Sequence, residues 1–154
     1  MPAIFAGVGA QTIAATAATI GLGVVTPAEC YVGLAGRTPS NTFDLADPIG
    51  TLGCQYDIGN TRVFAEHISS PAVGNDFPGI NHAGIKQLVI NNEDFAVYLG
   101  ASYALPSEQL NGNSFLAQAG MEVGDDNIKF YGEYIMSVEN PEDGMMTGGI
   151  KFLF

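Results

Sequence analysis

Basic residues are the scarcest class in this chain: five Lys and Arg stand against sixteen Asp and Glu in 154 residues, a formal net charge of −11. Phosphate backbones would be repelled, and no basic patch exists to overcome that, so nucleic-acid binding is excluded. Charge of either sign is sparse, at 14% of residues against the usual quarter, while 20 Gly and 10% aromatics push the other way. That balance excludes intrinsic disorder. Two cysteines, Cys30 and Cys54, are too few for a disulfide scaffold and fit no CxxC or other metal-ligand spacing, so no structural zinc site is indicated. The length is that of one domain, which leaves no room for separate cofactor and substrate modules.

From Pro2 to Ala28 charge is missing altogether, and the segment is rich in Ala, Gly, Thr and Ile. Its apolar stretch and the small-residue exit Thr26-Pro27-Ala28 are those of a secretory signal, although Met1-Pro2-Ala3 supplies no positive residue at the start. The alternative is a retained membrane-length helix with Gly7, Ala10, Ala14 and Ala18 as a packing stripe. The domain reading is therefore 1–28 as a signal-like or retained apolar segment and 29–154 as the folded unit.

After Glu29 the pattern changes period. Eight segments of alternating apolar and polar residues run near 29–37, 50–58, 61–69, 81–90, 94–105, 114–124, 127–138 and 146–154. Tight turns at Gly59-Asn60, Asn91 to Glu93 and Gly124 to Asn127 alternate with long Pro/Gly/Asn-rich connections at 38–49, 70–80, 106–113 and 139–145. Short turns at one end, long loops at the other and an even strand count predict an all-β fold, an eight-stranded antiparallel up-and-down transmembrane barrel.

Parity assigns the faces. Phe95, Val97, Leu99, Ala101, Tyr103 and Leu105 share one side of the fifth segment, and Ile128, Phe130, Gly132, Tyr134 and Met136 one side of the seventh. Asp57, Arg62, Glu66, Lys86, Glu122, Lys129, Glu133 and Lys151 all fall on the opposite, polar face. A water-facing wall would carry many more charges, whereas eight of mixed sign suit the interior of a small barrel where they can pair. A soluble sandwich with the apolar face inward is the rival fold. An eight-stranded barrel is filled by its own side chains, so pore activity is not expected. Phe152, Phe154, Tyr134, Tyr103, Tyr31 and Tyr56 are expected in aromatic girdles, His82 in the interior, and Cys30 and Cys54 out of register with one another.

These features, with the terminal Phe154, resemble the small eight-stranded outer-membrane barrels of Gram-negative bacteria and their phages. The resemblance covers roughly residues 29–154 and implies that the terminal aromatic is part of what the assembly machinery recognises.

One constellation has the residue types for chemistry. Val63, Ala65, His67 and Ser69 share the lipid-side parity at the long-loop end, and Asn81 opens the next strand facing the same way. His and Ser two apart lie roughly 6.5–7 Å apart along a strand, close enough for His67 to act as general base for nucleophilic Ser69 with Asn81 orienting the ring. A bland strand end running into a Ser/Pro/Gly loop is the competing reading.

The stretch His67-Ile68-Ser69-Ser70 to Pro78-Gly79-Ile80-Asn81 resembles the active-site segment of the PagL-type lipid A 3-O-deacylases, eight-stranded outer-membrane esterases. The resemblance implies Ser69 as nucleophile, His67 as base and Asn81 in the orienting position, outer-membrane lipid and lipopolysaccharide as partners, and no metal or cofactor. Asn81 stands where that family has Glu, and Ser70-Pro71-Ala72 replace its Asn and the small pair of the oxyanion hole. The rival from another class is a non-catalytic surface barrel acting through its loops in adhesion, exclusion or resistance. A phage-encoded virion component is a third reading.

Overall fold

In a computed structural model that describes residues 28–39, 47–69, 79–105, 115–139 and 141–154, eight antiparallel strands close into a barrel. They are β1 (Glu29–Pro39), β2 (Asp47–Ile58), β3 (Thr61–Ser69), β4 (Ile80–Asn91), β5 (Phe95–Ala104), β6 (Phe115–Gly124), β7 (Ile128–Ser137) and β8 (Met145–Leu153). Each pairs with its sequence neighbour, and β8 returns to β1, leaving no open edge. Seven strands lie within two residues of the segments read from the alternation; β2 starts three residues earlier than expected. The apolar segment at 1–28 lies, but for Ala28, outside the described residues, as do residues 40–46, 70–78 and 106–114 of the first three long connections and only Asn140 of the fourth.

Alternation puts apolar side chains on the outer wall. Leu99 is 58% and Phe130 54% exposed, while Lys151 is 2% exposed and Glu133 4%. A soluble protein would expose the second pair and bury the first, so the orientation is that of a transmembrane barrel. Tyr103, Phe115 and Tyr134 sit on the wall near the long loops, and Phe152 and Phe154 near the short turns.

Two expectations fail here. Tyr31 is not a girdle residue: it is buried inside, its hydroxyl donating to Glu66 at 2.8 Å. Its parity with Gly33 carries it inward whatever its distance from the strand end. Cys30 and Cys54 do face one another and form a disulfide, with Cα atoms 3.9 Å apart. The early start of β2 adds rungs as far as Arg37↔Asp47, and this sets the register that aligns the two cysteines.

The lumen is filled in layers. At the long-loop end Ile49, Ile68, Ile80, Ala104, Leu116, Ile135 and Met145 form an apolar plug. Below it Lys86 pairs with Glu133 at 2.8 Å, Arg62 bridges Asp57 and Glu122 at 2.7 Å each, and Lys151 reaches Glu122 at 3.3 Å. His82 is an interior residue as expected, 3.0 Å from Ser102 Oγ and 3.3 Å from Glu66. At the short-turn end a cavity of about 330 Å³ ends at Arg62 and Glu122. Plug and ion pairs together occupy the path a pore would need.

A feature not expected from the sequence reading is a two-fold repeat. Residues of β1–β3 correspond to those of β5–β7 at 67 positions later, and β4 to β8 at 65. Tyr31, Gly53, Glu66 and Lys86 thus match Tyr98, Gly120, Glu133 and Lys151. The pairings follow the same rule: Cys30↔Cys54 maps onto Val97↔Met121, Asp57↔Arg62 onto Gly124↔Lys129, and the closing pair Ala35↔Gly149 onto Ser102↔Gly84. The interior contacts repeat with the halves exchanged. Tyr98 donates to Glu133 as Tyr31 does to Glu66; Lys86 lies 4.4 Å over Tyr98 and Lys151 4.7 Å over Tyr31. Gly53 and Gly120 leave the space in which those tyrosine rings lie, since a Cβ at either would stand 2.5 Å from a hydroxyl oxygen.

Candidate functional site

His67 and Asn81 are directly opposed in the β3–β4 ladder, at the end where the chain enters its long connection. Both carry outward parity, so the pair lies on the lipid-facing wall and not in the lumen. His67 Nδ1 stands 2.8 Å from Asn81 Oδ1. An amide oxygen only accepts, so Nδ1 carries the proton and donates, and the lone pair of the neutral ring is left on Nε2. This is the tautomer a general base for a hydroxyl requires.

Ser69 is the last residue of β3, on the same face as His67 and opposite Gly50 of β2. Among the described residues the side-chain partner of the His67 ring is Asn81; the structure joins these two and leaves Ser69 alongside, one step of the pleat nearer the loop. Ser70, Pro71 and Ala72, which stand in place of the Asn and the small pair of the resembled oxyanion hole, lie outside the described residues.

Gly79, within the Pro78-Gly79 part of the motif, has a backbone conformation that favours glycine. Its φ is +109°, and a Cβ there would stand 2.8 Å from the Ile68 carbonyl oxygen and 3.4 Å from His67 Cε1. A side chain there would be opposed by the Ile68 carbonyl and by the backbone conformation, while its approach to the imidazole would be an ordinary van der Waals contact. The sequence marks it only as part of the Pro78-Gly79 pair and carries no sign of its backbone conformation.

The repeat supplies an internal comparison. The mates of His67, Ser69, Asn81 and Gly79 are Tyr134, Met136, Met146 and Gly144. Tyr134 and Met146 are again opposed, and a Cβ on Gly144 would meet the Tyr134 ring. The scaffold is thus satisfied at these positions by a tyrosine and two methionines, which suit a lipid boundary better than His, Ser and Asn do. A second polar substitution of the outer wall, Thr61 and Gln87 for Ile128 and Phe152, has a local explanation: Thr61 donates to Gln87, which donates to the Asn60 carbonyl of the adjoining tight turn. Among the described residues the His67–Asn81 pair serves no turn.

No protein-family model matches the chain, and no curated protein matches it by sequence. Among solved structures, a de novo designed transmembrane β-barrel is similar with a TM-score of 0.58 and 14% identity, over 85% of this chain and 98% of that one. The attachment invasion locus protein Ail of Yersinia pestis aligns over 82% of this chain and 97% of its own, at 15% identity and a TM-score of 0.44. Neisserial surface protein A aligns over 82% and 96%, at 13% identity and 0.43. At such identities the likeness concerns the fold: an all-β, closed, eight-stranded antiparallel barrel of the transmembrane kind.

Proposed function

We propose that this chain is an outer-membrane barrel of a Gram-negative envelope whose outer wall carries a serine esterase, acting on an acyl ester of lipid A at the 3-O position. The observation that carries the reading is the 2.8 Å bond from His67 Nδ1 to Asn81, on a lipid-facing pair whose two-fold mate is Tyr134–Met146. Ser69 Oγ attacks the ester carbonyl carbon as His67 Nε2 takes its proton; collapse of the tetrahedral adduct expels the sugar oxygen, which receives that proton. Water, deprotonated by the same nitrogen, then releases the fatty acid from Ser69. Asn81 holds the ring but brings no charge to the imidazolium, so turnover is expected to be slower than with a carboxylate in its place. No metal or cofactor enters the scheme, and the ester arrives in the bilayer, so no water-filled pocket is needed.

The test is mass spectrometry of lipid A from cells with and without the chain. Loss of one acyl chain, abolished by Ser69→Ala, is the expected result. The repeat provides a folding-neutral control: His67→Tyr, Ser69→Met and Asn81→Met together install the other half's residues and should give a stable, inactive barrel. Unchanged lipid A with the parent protein would overturn the enzyme reading. A second reading, a non-catalytic surface barrel acting through its long loops, draws on the filled lumen and the neutral Asn81; it expects the triple variant to behave as the parent in every surface assay.

A further inference from the structure

We propose that the outer leaflet dips over the β3–β4 wall, bringing one lipid head group with its water down to His67 and Asn81; what this means for catalysis rests on the esterase reading, but the dip rests on the wall. Along that level the outward residues read Leu52, His67, Asn81 and Leu105, since His67 is opposed by Leu52 on β2 and by Asn81 on β4, and the Leu105 N–H donates to the Asn81 carbonyl. Both leucines are exposed. The two-fold puts Tyr134 and Met146 at the same height on the far wall, where the outward apolar run continues through Met136 to the exposed Val138. This level is therefore hydrocarbon on both flanks and on the far wall. From Ile128 to Val138 the apolar face rises about 25 Å, taking ~3.3 Å per residue and a tilt of ~40°, whereas Thr61 and His67 bound only about 15 Å on β3.

The pair does not satisfy itself. Its bond uses the Nδ1 proton and Asn81 Oδ1, which leaves the Asn81 amide hydrogens and His67 Nε2 without a partner among the described residues. Hydrocarbon offers no hydrogen bond, so these groups draw the nearest partner that does, a head group and the water it carries. Two strands about 4.8 Å apart make a polar notch roughly one lipid wide. A tilt of the barrel is the other way to bring the pair to water. It would also lift Thr61 and Gln87, the polar pair at the foot of the same strands, into the acyl region, and push the apolar Ile128 and Phe152 of the far wall toward water. Polarity at both ends of β3–β4 thus opposes a tilt, and a dip of the leaflet satisfies both ends. The acyl esters of a lipid lie directly under its head group, so the dip sets the bond to be cut at the height of His67 and Ser69.

The experiment is nuclear Overhauser spectroscopy of the full chain in dimyristoylphosphatidylcholine nanodiscs. The backbone amides of His67 and Asn81 are expected to show cross-peaks to the choline methyls and to water, and those of Tyr134 and Met146 to the acyl methylenes. Like contacts at all four, of either kind, overturn the proposal without any variant. Choline contacts at His67 and Asn81 together with acyl contacts at Thr61 and Gln87 would mean a tilted barrel, and overturn it too. His67→Tyr with Asn81→Met installs the far wall's residues and is expected to lose the choline and water cross-peaks at both positions in favour of acyl ones; a variant that keeps them refutes the part given to the pair. The esterase is read separately, from lipid A mass. If that mass never changes but the choline contacts are as stated, the enzyme reading falls and the dip stands. If lipid A is deacylated while His67 meets acyl chains alone, the dip falls and the enzyme stands.

Discussion

Replacing Glu133 by Gln removes one of three carboxylates from the described layer of buried ion pairs and leaves Lys86 facing an amide. The two side chains are 2.8 Å apart and 2% and 1% exposed, so water cannot take the place of the lost charge. Breaking a buried pair from one side costs about 3–5 kcal/mol, because the remaining charge stays desolvated. Here the cation keeps some compensation, lying 4.6 Å from the Phe64 ring centroid and 4.4 Å from that of Tyr98. Each such contact contributes about 0.5–2 kcal/mol, but both already exist in the parent and only limit how far the lysine must move. The expected loss is therefore at the lower end, about 3 kcal/mol, or roughly a hundredfold in the folding equilibrium. Urea titration of the protein refolded into phospholipid vesicles, followed by gel mobility of the folded against the heat-denatured form, measures it. Adding Lys86→Met should restore most of the loss, since an uncharged pair of similar volume carries no desolvation debt. A Glu133→Gln midpoint within about 0.5 kcal/mol of the parent would mean that the lumen is hydrated, and the account of a sealed barrel would be wrong.

Removal of the disulfide by Cys30→Ser with Cys54→Ser should leave a folded barrel, since Val97 and Met121 occupy the equivalent rung without a bond. Loss of a closed loop of 24 residues' separation lowers stability by about 3 kcal/mol in the chain-entropy account, read as an earlier urea midpoint; an unmoved midpoint contradicts it. In the β6–β7 turn, the Asp125 carboxylate accepts from the backbone N–H of Asn127 at 2.8 Å and Ile128 at 2.9 Å, and these bonds hold its pKa below the usual aspartate value. A depressed folded-state pKa means that the turn gains from ionisation above the unfolded value and loses this as pH falls through the folded one. The amide shifts of Asn127 and Ile128 should accordingly titrate with a midpoint below that of a free aspartate, and a midpoint at or above it would show that the turn bonds do not form.

The candidate site was legible in its components and not in its assembly. Parity alone put His67, Ser69 and Asn81 on one wall, because side-chain direction in a strand depends only on odd or even position. That His67 and Asn81 share a rung followed from where β4 begins, which the Pro- and Gly-rich connection obscures. The same limitation hid the disulfide, where three extra residues of β2 moved Cys54 into line with Cys30. The repeat was written in the sequence, as Gly84-Ile85-Lys86 with Leu88 against Gly149-Ile150-Lys151 with Leu153, and as Asn60, Arg62, Phe64, Glu66 and Ile68 against Asn127, Lys129, Tyr131, Glu133 and Ile135. It was hidden because the matched residues lie mostly on one face, so every second position is unlike.

Period-two patterning, scarce charge and the alternation of turns with loops were enough by themselves to determine eight strands, their order and which side meets the lipid, since each depends on local geometry and on the transfer of side chains between media. Partner identity across the lumen was decided only by closure. Lys86 meets Glu133, and Lys151 meets Glu122, across separations of 47 and 29 residues that no local pattern encodes. These pairs exist because eight tilted strands leave an interior one side chain deep, in which every buried charge must find its opposite from another strand.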